Sequence, residues 1–206
     1  MFDLPPPEPA IEITLATRGY SKGIAQTDEP QLVVRPEVKL GPVLLGGYVK
    51  NVTSPAFDGE GGGSVGYRFK LAGFDLTATA VVKTLLNPDP GVDSTALELV
   101  GGASRTLGPV NAKLSYAFSP DDTGGTRRSH YLEGSGTYAL GRGFTASVGG
   151  GLRRRIASPD YLTYNAGIGY KLSDRLNADL RWFGNDRGEL GGFFKDRLVG
   201  SLRARF

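Results

Sequence analysis

The chain has 206 residues, 31 of them Gly and 13 Pro, with no Cys, one Met and one Trp. Its 24 Lys plus Arg against 21 Asp plus Glu leave a net charge of +3, too small an excess for a nucleic-acid backbone binder, and no basic block carries the interleaved aromatics of such a tract. The missing cysteines exclude disulfide frameworks and thiolate metal sites, and the longest unbroken apolar run, "VLLGGYV", is too short for a helix to span a bilayer.

The opening "MFDLPPPEPA" has neither a basic n-region nor an apolar h-region, and reads as an extended, Pro-rich lead-in over residues 1–9. From residue 10 onward the pattern is alternation of apolar and polar residues, with no 3.6-residue period sustained over three turns. In "FDLTATAVVK", Phe74, Leu76, Ala78, Ala80 and Val82 share a face opposite Asp75, Thr77, Thr79 and Lys83. "VNAKLSYAFS" sets Val110, Ala112, Leu114, Tyr116 and Phe118 against Asn111, Lys113 and Ser115, and "YLTYNAGIGYKL" repeats the scheme. About 12 such runs are predicted, near 10–18, 31–40, 43–52, 61–71, 74–86, 94–106, 110–118, 129–140, 144–154, 161–172, 176–184 and 194–206.

The connections sort by length. Those after the even runs are tight: "GP" at 41–42, "AG" at 72–73, "LGP" at 107–109, "GRG" at 141–143 and "SDR" at 173–175. Those after the odd runs are mostly longer and rich in Gly, Pro, Asp and Ser, among them "TSPAFDGE", "NPDPGVD", "SPDDTGGTRR" and "GNDRGELGG". Short turns at one end and long loops at the other are the layout of an outer-membrane barrel, with the turns on the periplasmic side. The predicted fold is therefore all-β, a single antiparallel up-and-down transmembrane β-barrel of about 12 strands over residues 10–206.

Side-chain size orients the faces. A barrel of about 12 strands is wider than the eight-stranded case that side chains can just fill, and the apolar face carries groups as small as Ala78, Ala80, Gly101, Ala103, Gly134, Gly136 and Gly150. Lipid chains pack against such a face, while the polar face carries long charged chains suited to a wet interior. Aromatic girdles are expected from Phe74, Phe144, Tyr170 and Phe206 near the short turns and from Tyr131, Tyr161, Tyr164 and Trp182 near the loops. Phe206 then closes the last strand at the periplasmic girdle.

On the inward parity fall Arg18, Arg35, Lys39, Lys50, Arg68, Lys70, Lys83, Lys113, Arg153, Lys171, Arg181 and Arg203, together with Arg155, Arg197 and Arg205. The acids there are Glu12, Glu37, Asp75, Glu98, Glu133 and Asp179. A narrow passage lined by excess positive charge concentrates anions and repels cations, so an anion-preferring channel for small solutes is expected. The alternative is a lumen whose charges pair into a salt-bridged plug, leaving a closed barrel that serves as partner to another outer-membrane protein or to lipopolysaccharide. Arg127, Arg128 and Arg154, near the loop end, are candidate contacts for lipopolysaccharide phosphates.

Other chemistry is poorly supported. His130 is the only histidine, and although Ser129, Asp121 and Asp122 lie close in sequence, neighbouring strand residues point to opposite faces, which separates Ser129 from His130. One histidine cannot build a His-rich metal site. "GEGGGS" at 59–64 lacks the Lys and helix of a phosphate loop and reads as a flexible loop entering a strand. No cofactor is expected; the expected partners are lipid, lipopolysaccharide and small solutes, with no nucleic acid.

The segment "TRGYSKGIAQTDEPQLVV", followed by "GPVLLGGYVKNV", resembles the opening of the TorF family of porins, also called the Gcw_chp family. The matching positions are Arg18, Gly19, Ser21, Gln26, Thr27, Tyr48, Asn51 and Val52. The resemblance implies an outer-membrane barrel, and it brings no catalytic or substrate-binding residues with it.

Overall fold

The structure is a computed structural model describing residues 5–206, and of the lead-in expected over 1–9 the first four residues lie outside the described part. Twelve strands form one closed antiparallel barrel. They are β1 (Glu8–Ala16), β4 (Gln31–Leu40), β5 (Val43–Ser54), β6 (Phe57–Leu71), β7 (Phe74–Leu86), β8 (Thr95–Leu107), β9 (Val110–Asp122), β10 (Arg127–Gly141), β11 (Phe144–Arg155), β12 (Tyr161–Lys171), β13 (Leu176–Asn185) and β14 (Arg197–Arg205). The two remaining strands, β2 (Gly19–Ser21) and β3 (Ile24–Thr27), pair only with each other. Two 3-10 turns, Gly188–Leu190 and Gly192–Phe194, complete the described elements.

Each strand after β4 pairs with its sequence neighbour, and the ring closes where β1 meets β14 in the register Glu12↔Arg205 to Ala16↔Ser201. Phe206 extends that seam, its backbone exchanging hydrogen bonds of 2.9 and 3.0 Å with Ile11. A closed ring leaves no strand edge unpaired, the condition a sheet must meet to sit in hydrocarbon.

Burial runs opposite to that of a water-soluble core. Val65, Leu114, Val148, Leu180 and Leu198 are all more than half exposed, whereas Lys83, Glu98 and Asp122 are buried. Apolar residues cover the outside and charges the inside, so the outer surface matches lipid. An expected result follows for Leu114→Arg on this outer face: the folded barrel in vesicles loses about 2–4 kcal/mol in a urea titration. The same charge at the neighbouring inward position, Ser115→Arg, costs far less.

Three elements depart from expectation. The run expected over 10–18 ends at Ala16, so Arg18 lies in the following loop, exposed, rather than on a strand. The stretch "GEGGGS" is strand, not loop, because β5 and β6 continue to a tight turn at 55–56. Its glycines make room inside the wall: a Cβ at Gly62 would collide with the ring of Tyr48, which crosses there to reach Glu60. Finally, the region 19–27, expected to be an extracellular loop, is the β2–β3 hairpin.

Candidate functional site

The hairpin turns on two residues, Lys22 (φ 47°) and Gly23 (φ 84°), both in the left-handed region that a two-residue type I′ turn requires. From the loop end, where Ala16 pairs with Gln31, it folds into the barrel and reaches the far wall. Tyr20 stacks on Phe183 of β13 with ring centroids 4.2 Å apart. The backbone oxygen of Lys22 accepts a hydrogen bond from the hydroxyl of Tyr161 on β12 (2.9 Å), and that of Gly23 accepts one from Nδ2 of Asn185 (3.3 Å). Gly23 packs so closely on Thr163 that a Cβ there would collide with it.

The tip carries its own charge into a buried cluster. Lys22 Nζ pairs with Glu98 of β8. Glu98 is also 3.3 Å from Lys83 Nζ, which lies 2.6 Å from Asp122 Oδ1, and Asp122 Oδ2 accepts Nη2 of Arg153 at 2.7 Å and Oγ of Ser129 at 2.9 Å. Lys83, Glu98, Asp122 and Arg153 are all under a tenth exposed. Groups from β7, β8, β9 and β11 thus converge on a tip brought to them by a loop more than 60 residues away in sequence.

The base of the hairpin is held as well. Gln26 accepts Lys50 Nζ at 2.8 Å, Lys50 lies 3.1 Å from Glu60, and Glu60 accepts the Tyr48 hydroxyl at 2.6 Å. Thr27 and Thr53 share a hydroxyl hydrogen bond of 2.6 Å. Beyond β3, Asp28 takes Arg197 in a bidentate pair of 2.7 and 3.2 Å. That guanidinium holds the Asp28 carboxyl below the usual carboxylate range, chiefly through the hydrogen bond itself. Arg197 also donates to the Gly192 oxygen at 2.9 Å, tying the last loop to the first, and Phe194 of that loop meets Tyr161 edge-on at 5.5 Å.

The hairpin divides the extracellular half of the lumen. One side keeps a cavity of about 540 Å³ against β4–β9, the other a space of about 180 Å³ between Tyr20, Tyr131, Glu133 and Thr163. Toward the short turns the interior is more open. There Arg35 and Arg203 reach Glu12 at 3.5 and 3.7 Å, Arg205 reaches Glu37 at 3.3 Å, and Lys70 reaches Asp75 at 3.5 Å. Arg181 is more tightly held, by Asp179 (3.1 Å), Asn165 (2.7 Å) and Ser147 (2.6 Å). Lys171 pairs with Asp174 in the rim turn. Lys39, Arg68, Lys113 and Glu133 form no ion pair among the described residues.

Of the residues expected in the girdles, Phe74, Phe144, Tyr170, Phe206, Tyr164 and Trp182 are exposed on the outer surface, with Phe144 against Tyr170 at 4.4 Å and Tyr164 against Trp182 at 5.3 Å. Tyr131 and Tyr161 are corrections: both are buried, and both point inward on the parity of Thr163. Both fall on the inward parity of their strands, where the Tyr161 hydroxyl bonds the hairpin's Lys22 oxygen and the Tyr131 hydroxyl that of Thr163, so neither faces lipid. Ser129 and His130 do separate, Ser129 bonding Asp122 inside while His130 Nδ1 meets the Tyr116 hydroxyl at 2.6 Å on the outer face. Arg127, Arg128 and Arg154 are exposed, with Arg154 directly across from His130. The inward hairpin was missed from sequence, although "YSKGIA", a Lys-Gly turn between apolar flanks, carries its local mark.

No curated protein sequence matches the chain. Among solved structures, it is similar to the KdgM porin in complex with disordered oligogalacturonate, at 12% identity over 96% of this chain and 99% of that one, with a TM-score of 0.66. It is also similar to the NanC porin (11% identity, 95% and 97% covered, TM-score 0.63) and to the COG4313 outer membrane channel from Pseudomonas putida F1 (11%, 97% and 94%, TM-score 0.56). At such identities these likenesses speak for the barrel alone. The sequence itself matches the Gram-negative porin family over residues 19–186, a span that begins with the hairpin and includes every residue of the buried cluster. The chain belongs to the Gram-negative porin family, and it is an outer-membrane β-barrel channel.

Proposed function

We propose that the channel passes small solutes by passive diffusion with a preference for anions. The observation that carries this reading is the charge balance of the lumen: of the side chains expected there Arg18 falls in a loop, while Lys22, Glu60 and Asp122 join the interior, which leaves 15 basic side chains against 8 acidic ones among those named. A low-dielectric wall focuses such an excess into the passage. The oligogalacturonate named with the KdgM porin is a polyanion, which agrees with the reading. Kinship with the TorF family is part of it. Of the residues that carry that resemblance, Gly19, Ser21, Gln26 and Thr27 lie on the hairpin, and Tyr48 and Asn51 bond beside its base.

The test is single-channel conductance of the refolded protein in a planar bilayer under a salt gradient. Steady current with a reversal potential on the anion side supports the reading; a cation-side potential overturns the preference. A second reading, a closed barrel acting through its outer surface, is favoured by the hairpin and its paired charges. Silence at all voltages from folded protein would select it. On that surface the phosphate contacts would fall to Arg128 and Arg154, which flank His130 beside the outer aromatics Tyr116 and Phe118.

A further inference from the structure

The buried cluster at the hairpin tip is not electrically balanced. Lys22, Lys83 and Arg153 contribute three positive charges, while Glu98 and Asp122 contribute two negative ones, and among the described residues every ion pair in the cluster is internal to these five groups. An uncompensated charge in a site this buried attracts a counter-charge strongly, because solvent screens it little. Arg153 also has an unspent donor: its Nε–H is buried and finds no acceptor among the described residues, although Nη2 is bonded to Asp122.

The cluster lies in the wall of the cavity of about 540 Å³, within the range of roughly 300–1,000 Å³ usual for small-molecule sites. The same cavity is also lined by the Ser64 hydroxyl of β6 and the Gln26 amide of β3, to which a polyhydroxylated molecule can bond. The hairpin bounds the cavity on its remaining side, through Ser21 and Ile24. An extended chain would have to run through the space the hairpin fills, and the passage on the hairpin's other flank, about 180 Å³, is smaller still.

We propose that this cavity is a transit-binding site for one small hydroxylated monocarboxylate, its carboxylate drawn to the surplus charge of the Lys22–Lys83–Arg153 cluster, and that the β2–β3 hairpin rejects longer polyanions. The inference rests on the anion-channel reading above and deepens it by naming a solute class and a size limit.

Gluconate and sorbitol, equal in carbon number but differing in charge, are the probes, read as block of chloride current through the full-length channel in a planar bilayer. Gluconate is expected to block saturably and sorbitol to act only as a viscous additive. Lys22→Met and Arg153→Met, which each restore two charges against two, are expected to weaken the gluconate block by about tenfold or more. A decamer of polyglutamate is expected not to cross. Equal effects of gluconate and sorbitol, or an unchanged block in both variants, would overturn the site while an anion-side reversal potential left the channel reading intact. Passage of the decamer would overturn the size limit, and a cation-selective or silent barrel would remove both the site and the reading beneath it.

Discussion

Replacing residues 18–28 by a short Gly-Asn turn is expected to raise single-channel conductance about two- to fivefold. The replacement is sterically simple because Ala16 and Gln31 already face each other across the β1–β4 pair, so a hairpin turn can join them. It removes the body that now separates a cavity of about 540 Å³ from one of about 180 Å³, merging the two into one passage. Ion flow follows the narrowest cross-section, so an unchanged conductance would mean that current does not pass beside the hairpin at all. Gly23→Val is a subtler form of the same experiment. The side chain would collide with Thr163 and would have to adopt a positive φ, so the tip is pushed off the far wall while the rest of the loop is retained. Its expected conductance lies between those of the wild type and the deletion.

The second large effect is on selectivity. Arg35→Glu combined with Lys113→Glu is expected to lower the anion-to-cation permeability ratio by about tenfold or more, since four units of charge change in a passage of reduced dielectric constant. These two positions are chosen because little else depends on them. Arg35 makes one long ion pair, to Glu12 at 3.5 Å, and Lys113 makes none among the described residues. Arg181 is the wrong choice despite its inward position. It is bonded to Asp179, Asn165 and Ser147 at once, so Arg181→Glu would set two carboxylates against each other and leave polar groups unpaired, confounding selectivity with folding. A reversal potential that does not move in the double variant would show that these lumen charges on the short-turn side do not govern the flow.

Period-two alternation and the sorting of turns were enough to read the barrel, because a strand's faces are written two residues apart and a lipid-facing side must be apolar along its whole length. "FDLTATAVVK" and "VNAKLSYAFS" carry their orientation with them, and β7 and β9 follow it. The limits of that reading appear at the strand ends. Tyr131 shares its parity with Ser129 and Glu133, and the alternation thus points it inward; only the general habit of aromatics to gather near membrane interfaces argued otherwise. Parity prevails, and the Tyr131 hydroxyl lies inside, 3.3 Å from that of Thr163.

By itself, then, the amino-acid sequence determined the architecture, the two faces of each strand, the charge excess inside and the end at which the long loops lie. All of these follow from local periodicity, which is expressed over ten residues. The tertiary structure alone decided what fills the lumen. The local sequence "YSKGIA" can announce a hairpin but not its destination, since that depends on Lys22 meeting a carboxylate 76 residues away, on Tyr20 finding Phe183, and on Gly23 fitting against Thr163. Such contacts hold between residues remote in sequence, and their energy exists only once the ring has closed and brought six strands, β7–β9 and β11–β13, around one hairpin.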